Sequence, residues 1–242
     1  MHDYNNSART YWWSVAAIGY ALLAHAIYAV TALPTATIVQ IALASAFAGA
    51  IAIFPVRIPG TTLSIAGGEI FIFLALALFG VEAAVVAAAL EGAIASGRTS
   101  KRWTSWLGTP AMAAITTSIA GYGFLAVRMA LVRQQAVSGT TMLALLTVFA
   151  VVYCALSNIL PSLLLALKRS ERLDVIGLLK DRSWMAVAHV ASAAIAGLLF
   201  FAGAKVDVWV LLAALPAIAL SVFVTRALLE STETERVLRH KG

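Results

Sequence analysis

The chain alternates long apolar runs with short polar breaks, and several runs hold 18 or more residues with few charges. An α-helix needs about that length to cross roughly 30 Å of hydrocarbon at about 1.5 Å per residue. The runs are apolar on all sides, whereas a membrane-spanning strand alternates apolar and polar positions. The pattern therefore predicts an all-α, polytopic membrane helix bundle of about six to eight transmembrane helices.

The predicted bundle is a single domain between two short polar ends. The transmembrane domain covers 11–230, after an N-terminal cytoplasmic segment at 1–10 and before a short cytoplasmic tail at 231–242. The clearest predicted spans are 11–31, 35–54, 110–132, 140–167, 184–202 and 208–229.

The stretch from 55 to 97 departs from this regular pattern. Two prolines and three glycines within 55–69 forbid a continuous helix there, and 61–65 is a candidate for extended backbone. The apolar stretch that follows is divided at Gly80. It fits either two short helices, steeply packed or re-entrant, or one long helix bent at that glycine. We therefore predict a broken or re-entrant hairpin near residues 55–97.

The charge content supports a membrane setting and suggests an orientation. Only 12% of residues are charged, against about 25% in soluble domains, while 17 Lys and Arg outnumber 11 Asp and Glu. If the chain crosses the membrane eight times, every Lys and Arg except Arg128, Arg133 and Lys205 lies on one side. If it crosses seven times, Arg9 and Arg57 lie on the opposite side from the other residues of that group. Basic loops face the cytoplasm, so both topologies predict a cytoplasmic C-terminus.

Ionisable residues inside apolar runs are the candidates for a ligand-binding site, because a charge in hydrocarbon is costly. Glu91 is the strongest, and Arg98 follows it by about two helical turns on the same face. Its simpler explanation is a structural glutamate that pairs with a neighbouring helix. Glu69 and Glu82 each follow glycine, where the dipole of a helix N-terminus favours a carboxylate. The fifth candidate ligand-binding residue is Arg57, which lies in the proline- and glycine-rich segment at 55–69.

The loop after 97 mixes basic and aromatic residues in the manner of a lipid interface. Lys101 and Arg102 are followed by Trp103 and Trp106. Anionic lipid explains such a cluster better than nucleic acid does, so no nucleic-acid partner is predicted.

Catalytic and cofactor motifs are missing from the sequence. It has no P-loop, GxSxG, HExxH or GxGxxG pattern, and a single cysteine, Cys154, excludes a cysteine-based metal cluster. We therefore predict no metal and no cofactor, and the sequence gives no support for an enzyme. An intramembrane enzyme acting on lipid, with Glu82 or Glu91 as acid or base, is the least supported class.

Short motifs within 54–102 resemble a known family. They are Phe54-Pro-Val-Arg-Ile-Pro-Gly60, Ser64 to Glu69, Phe73-Leu74 to Gly80, Leu90-Glu91-Gly92, Ala95-Ser96 and Arg98 to Arg102. In these the chain resembles the vitamin-uptake-like, multi-span sensor regions of bacterial signalling proteins, whose fold is similar to the substrate-binding subunit of energy-coupling-factor transporters. Such regions usually precede a cyclase, phosphodiesterase or kinase domain. Here the sequence ends about 12 residues after the last predicted span, which fits either a sensor module of a longer protein or a free-standing relative that acts through a partner.

The resemblance implies a ligand bound in or near the bilayer. The first hypothesis is a sensor domain of a signalling system in the bacterial inner membrane, with a small-molecule ligand and a homodimeric or signalling partner. The alternative is a transporter substrate-binding subunit or permease, because broken backbone at membrane depth can line a cavity.

Overall fold

The computed structural model describes residues 4–53, 56–57, 64–65, 68–134 and 138–203. At 56–57, 64–65, Trp184 and Gly203 the description is of the backbone alone. The described helices are α1 (Asn6–Thr31), α2 (Thr35–Ala52), α3 (Glu69–Phe79), α4 (Val81–Thr99), α5 (Trp103–Arg133), α6 (Gly139–Arg169), α7 (Val175–Asp181) and α8 (Ser183–Gly203). Two short strands, β1 (Val56–Arg57) and β2 (Ser64–Ile65), pair antiparallel between α2 and α3.

The fold is the predicted polytopic membrane helix bundle. Among the described residues, five helices are long and apolar enough to cross a membrane: α1, α2, α5, α6 and Met185–Ala202 of α8. Large apolar side chains also point outward, among them Tyr28 at 76%, Val187 at 71% and Leu198 at 66% exposure. A soluble surface rarely carries so much apolar area, and in a bilayer these side chains meet lipid.

Side-chain caps fix where several helices begin. Asn5 accepts a hydrogen bond from the backbone N–H of Ala8 at the start of α1. Ser138 caps α6 in the same way, and Asp174 caps α7. Each cap satisfies a backbone N–H that has no partner within its helix.

Contacts between helix ends establish how the long helices run. The side chain of Asn5, before α1, donates to the backbone oxygen of Leu167 near the end of α6. The indole of Trp12 in α1 donates to the backbone oxygen of Thr104 in the first turn of α5. The helices α1 and α5 are therefore parallel to each other and antiparallel to α6.

Gly80 separates α3 from α4 and decides between the two predicted arrangements of this region. It adopts φ 100° and ψ −173°, which redirects the chain between helices that end and begin beside it. The residues on either side then pack against each other, as shown by Gly68, whose backbone lies against the carboxylate of Glu91. The region is therefore a helical hairpin and not one bent helix.

The helix α3 is short but forms the centre of the bundle. It has 11 residues, and its residues from Ile70 to Ala77 are all buried. It packs between α2, α4 and α8. A helix that is apolar on every side is expected in such an interior position.

Replacing Gly80 by alanine is expected to destabilise the hairpin by about 1–3 kcal/mol, because its backbone conformation is essentially restricted to glycine. Reversible unfolding in mixed detergent micelles would measure the loss. Gly97→Ala in α4 is the matched control, since a Cβ there meets no atom within 4 Å. Equal stability of the two variants would contradict the role assigned to Gly80.

The described helices depart from the predicted spans at three places, the first of which is α1, which begins at Asn6 and not at residue 11. α5 begins at Trp103, seven residues before the predicted start at Pro110, which lies inside the helix. Packing of Trp12 against Trp103, with ring centroids 5.3 Å apart, stabilises this early part of α5. α7 lies between the predicted spans 140–167 and 184–202, where no helix is predicted. The last predicted span, 208–229, and the tail at 231–242 fall outside the described residues.

Candidate ligand-binding site

The hairpin places two carboxylates at the same level of the bundle. Glu69 and Glu91 lie 11 residues before and after Gly80, so they face each other where α3 begins. The two groups are close enough to interact electrostatically. Gly68 makes room for this approach, since a Cβ on that residue would overlap the Glu91 carboxylate and lie 3.0 Å from the backbone oxygen of Ala48.

His189 of α8 is the partner of Glu69. Its Nε2 lies 3.7 Å from Oε1 of Glu69, and the two side chains are only 7% and 15% exposed. The other ring nitrogen, Nδ1, lies 2.8 Å from the backbone oxygen of Met185. That oxygen can only accept, so Nδ1 carries a proton.

Glu91 has no such partner among the described residues. It is 8% exposed, and the described chain places no cation within ion-pair distance of it. Arg98 is exposed in the last turn of α4, about 10 Å further along the helix axis, and forms no ion pair with Glu91. Arg182 donates instead to Oδ1 of Asn158 at 2.8 Å. The carboxylate of Glu91 is therefore buried without a described counter-charge.

A cavity of about 260 Å³ opens beside Glu91, between α4, α5 and α6. Its walls are formed by Ala88, Glu91, Gly92, Ala95, Thr109, Met112, Ala113, Thr116, Tyr153, Ser157 and Pro161. Most of this lining is apolar and small, and it contains one carboxylate and no basic residue.

Two further polar groups of the lining bear on what the cavity can hold. The hydroxyl of Thr116 is buried and has no hydrogen-bond partner in the described part of the chain. Tyr153 is buried in the electrostatic field of Glu91 and Glu69. Its ring packs 5.5 Å from Phe73 and 5.7 Å from His189, measured between centroids, so the cavity wall and the Glu69–His189 pair share one rigid cluster.

The remaining predicted ligand-binding residues are Glu82 and Arg57. Glu82 lies at the opposite end of α4, where it accepts a hydrogen bond of 3.0 Å from the hydroxyl of Tyr122. Arg57 belongs to β1 by its backbone, and its side chain lies outside the described part. Of the four predicted residues whose side chains are described, Glu69 and Glu91 are the two that the structure brings together.

The predicted lipid-interface residues lie together at the end of the bundle where α5 begins. Trp103 and Trp106 are about half exposed, at 47% and 50%, and Lys101 and Arg102 precede them on the surface. The indole of Trp106 donates to the backbone oxygen of Ser100 at 2.5 Å, which fixes the loop between α4 and α5. This arrangement suits an interfacial aromatic belt.

Sequence reasoning missed three residues of the site: His189, Tyr153 and Thr116. A lone histidine in an apolar run has no spacing motif that marks it as part of a site, and tyrosine and threonine are ordinary residues of a transmembrane span. One signal was present, since Glu69 and Glu91 are equally distant from Gly80 and a hairpin turn there aligns them. In the described ranges no group of three or more His, Cys, Asp or Glu side chains is arranged to hold a metal ion.

Comparisons of this chain with protein families, with curated proteins and with solved structures found no match. The chemistry of the site is therefore inferred from its own residues.

Proposed function

We propose that this chain is a small-molecule-binding membrane domain that acts as a sensor in the bacterial inner membrane. The observation that supports binding is the buried carboxylate of Glu91, which faces a cavity and has no described counter-charge. A concave, mostly apolar site with a few convergent polar groups is the usual form of a ligand pocket. An ionisable residue inside a membrane-spanning domain is also, by default, a candidate functional residue.

Sensing is proposed over other uses of the ligand because of the motifs within 54–102, which resemble bacterial sensor regions. The hairpin carries most of these motifs and contributes Glu91 to the cavity. A change in cavity occupancy would alter packing between α4, α5 and α6. The proposed output is a changed contact with a second copy or with a signalling partner.

The proposed cytoplasmic end is the one that holds the start of α1. The described basic residues at this end are Arg9, Arg98, Lys101, Arg102, Lys168, Arg169, Arg172, Lys180 and Arg182, whereas Arg128 and Arg133 lie at the other. Basic residues are retained on the cytoplasmic side of bacterial membranes. The cavity lies in the same half of the bundle, so the ligand would come from the cytoplasm or the inner leaflet.

Single-cysteine labelling would test this orientation. In a Cys154→Ser background, a membrane-impermeant maleimide is expected to label Gln134→Cys in intact spheroplasts, because Gln134 is exposed at the opposite end. Lys101→Cys should react only after permeabilisation. The reverse pattern would place the basic end outside.

A transporter substrate-binding subunit is the second candidate. It is favoured by the half-length helix α3 and by the paired strands β1 and β2 that precede it, since transporters use interrupted segments at membrane depth. Uptake of the bound molecule by proteoliposomes would support this candidate. Binding without uptake would favour the sensor.

Native mass spectrometry of the gently purified protein would test the binding function. The expected result is a defined small-molecule adduct on the wild type that is lost from Glu91→Gln. Glu82→Gln is the matched control, because it makes the same change on the same helix away from the cavity. Full retention of the adduct by Glu91→Gln, or no adduct on any sample, would contradict a binding site at Glu91. An Arg57→Ala sample tests the predicted contribution of the broken segment.

A further inference from the structure

A groove of about 400 Å³ lies along the last turns of α5, at the end of the bundle away from the Glu91 cavity. Its described lining consists of two arginines and three aliphatic side chains: Leu125, Arg128, Met129, Val132 and Arg133. Arginine keeps its charge in proteins, so both guanidinium groups are cationic whatever their surroundings. The groove therefore combines two permanent positive charges with an apolar surface.

The charge of these two arginines is not neutralised within the described part of the chain. Neither Arg128 nor Arg133 forms an ion pair or a side-chain hydrogen bond with a described residue. Glu82 lies in the same half of the bundle, but it accepts its hydrogen bond from the hydroxyl of Tyr122. The free carbonyl groups at the end of α5 carry only about half a negative charge, which two guanidinium groups exceed. An anion would therefore supply the missing partner.

The length of α5 places the two arginines at the level of lipid headgroups. Trp106, which is 50% exposed, belongs to the aromatic belt at the other end of this helix. Arg128 follows Trp106 by 22 residues, or about 33 Å along the axis at about 1.5 Å per residue. The hydrocarbon core is about 30 Å thick, so Arg128 reaches its opposite boundary and Arg133 extends among the headgroups.

The aliphatic part of the lining favours a lipid over a soluble anion. Leu125 lies about one helical turn closer to the bilayer centre than Arg128, where it meets an acyl chain. Met129 and Val132 continue the apolar surface beside the two guanidinium groups. A phospholipid matches both parts of the groove at once, because its phosphate and its acyl chain lie at these two depths.

We propose that the groove along the last turns of α5 binds an anionic phospholipid, with its phosphate held by Arg128 and Arg133 and an acyl chain against the aliphatic lining. A zwitterionic phospholipid binds less tightly, because its own cationic group competes with the guanidinium groups for the phosphate. This site is independent of the Glu91 cavity and of any ligand bound there.

A fluorophore beside the groove would report which lipid occupies it. Val127 is 49% exposed and adjacent to Arg128, so a bimane label is placed on Val127→Cys of the full chain in a Cys154→Ser background. In phosphatidylcholine vesicles, phosphatidylglycerol with brominated acyl chains is expected to show a relative affinity at least about fivefold above that of brominated phosphatidylcholine. Each basic residue near an anionic headgroup contributes about that factor. Equal quenching by the two lipids would overturn the proposal.

A label on Leu198→Cys is the matched control for position. Leu198 is 66% exposed, and its neighbour Gly197 lies against Leu143 near the start of α6, at the same end of the bundle as the groove. The helix α8 contains no Lys or Arg, so this label should show no preference between the two lipids. An equal preference at Leu198→Cys would mean general attraction to the membrane surface and would refute a site on α5.

Charge variants locate the binding. Replacing both Arg128 and Arg133 by glutamine should remove the preference at the Val127→Cys label, whereas replacing both by lysine keeps the charges and should retain most of it. Replacing Arg9 and Arg172 by glutamine removes two exposed charges at the other end and should leave the preference unchanged. Undiminished preference in the Arg128→Gln, Arg133→Gln variant, or an equal loss in the Arg9→Gln, Arg172→Gln variant, would refute the site.

Competition with inorganic phosphate separates a lipid from a soluble anion. An excess of phosphate should leave the quenching by brominated phosphatidylglycerol unchanged, because free phosphate has no acyl chain to contact Leu125 and Met129. Displacement of the brominated lipid by phosphate would show a site for soluble anions and overturn the proposal.

Discussion

Replacing His189 by leucine is expected to lower the free energy of unfolding by about 3–5 kcal/mol, because it leaves Glu69 buried without its partner. The loss also removes the hydrogen bond from Nδ1 to the backbone of Met185 and the ring packing on Tyr153. Unfolding by SDS in mixed micelles would measure it. His25→Leu is the matched control, since His25 is exposed on the lipid-facing side of α1 and the same change there should cost little.

A double variant separates lost charge pairing from lost packing. If the unpaired carboxylate dominates, adding Glu69→Gln to His189→Leu should recover more than half of the lost stability. Strictly additive losses from the two substitutions would show that the residues do not act as a pair.

Replacing Gly19 by leucine is expected to lower the free energy of unfolding by about 3 kcal/mol, the upper end of the usual range for overpacking. A Cβ at Gly19 would overlap backbone atoms of Ala111, because the Cα of Ala111 would lie only 2.6 Å from it. Backbone atoms in a helix cannot turn aside as a flexible side chain can, so α1 and α5 would have to separate.

The control for Gly19 is a glycine of α5, the helix against which α1 packs. Gly123→Leu introduces the same side chain on α5, where an added Cβ meets no atom within 4 Å. It should be neutral or slightly stabilising, because leucine has the higher helix propensity. If both variants lose the same stability, close packing at Gly19 is not the cause.

The fold was largely predictable because length and apolarity decide which segments span a membrane. The bounds of α2 and α6 agree with the predicted spans to within about two residues. The early start of α5 was not predictable, since the interaction that stabilises it comes from Trp12 in another helix. α7 had one local signal, the capping residue Asp174.

The candidate site was predictable only in part. An ionisable residue in an apolar run is conspicuous, which is how Glu69 and Glu91 were identified. The partner of a carboxylate depends on which helices are neighbours and how each is rotated. Helices that are apolar on every side give no periodic signal of that rotation. The pairing of Glu69 with His189 therefore emerges only from the packed bundle.

The central position of α3 constrains how the protein is made. Its 11 residues reach about 16 Å, so this helix cannot cross a bilayer alone. Its partner His189 is synthesised about 120 residues after Glu69, which takes about 6–24 s at translation rates of roughly 5–20 residues per second. During that interval α3 and α4 have been synthesised, whereas α8, which carries His189, has not. Glu69 therefore gains its partner only when a later segment packs against an earlier one, and a chain that ends before α8 would leave this carboxylate unpaired at membrane depth.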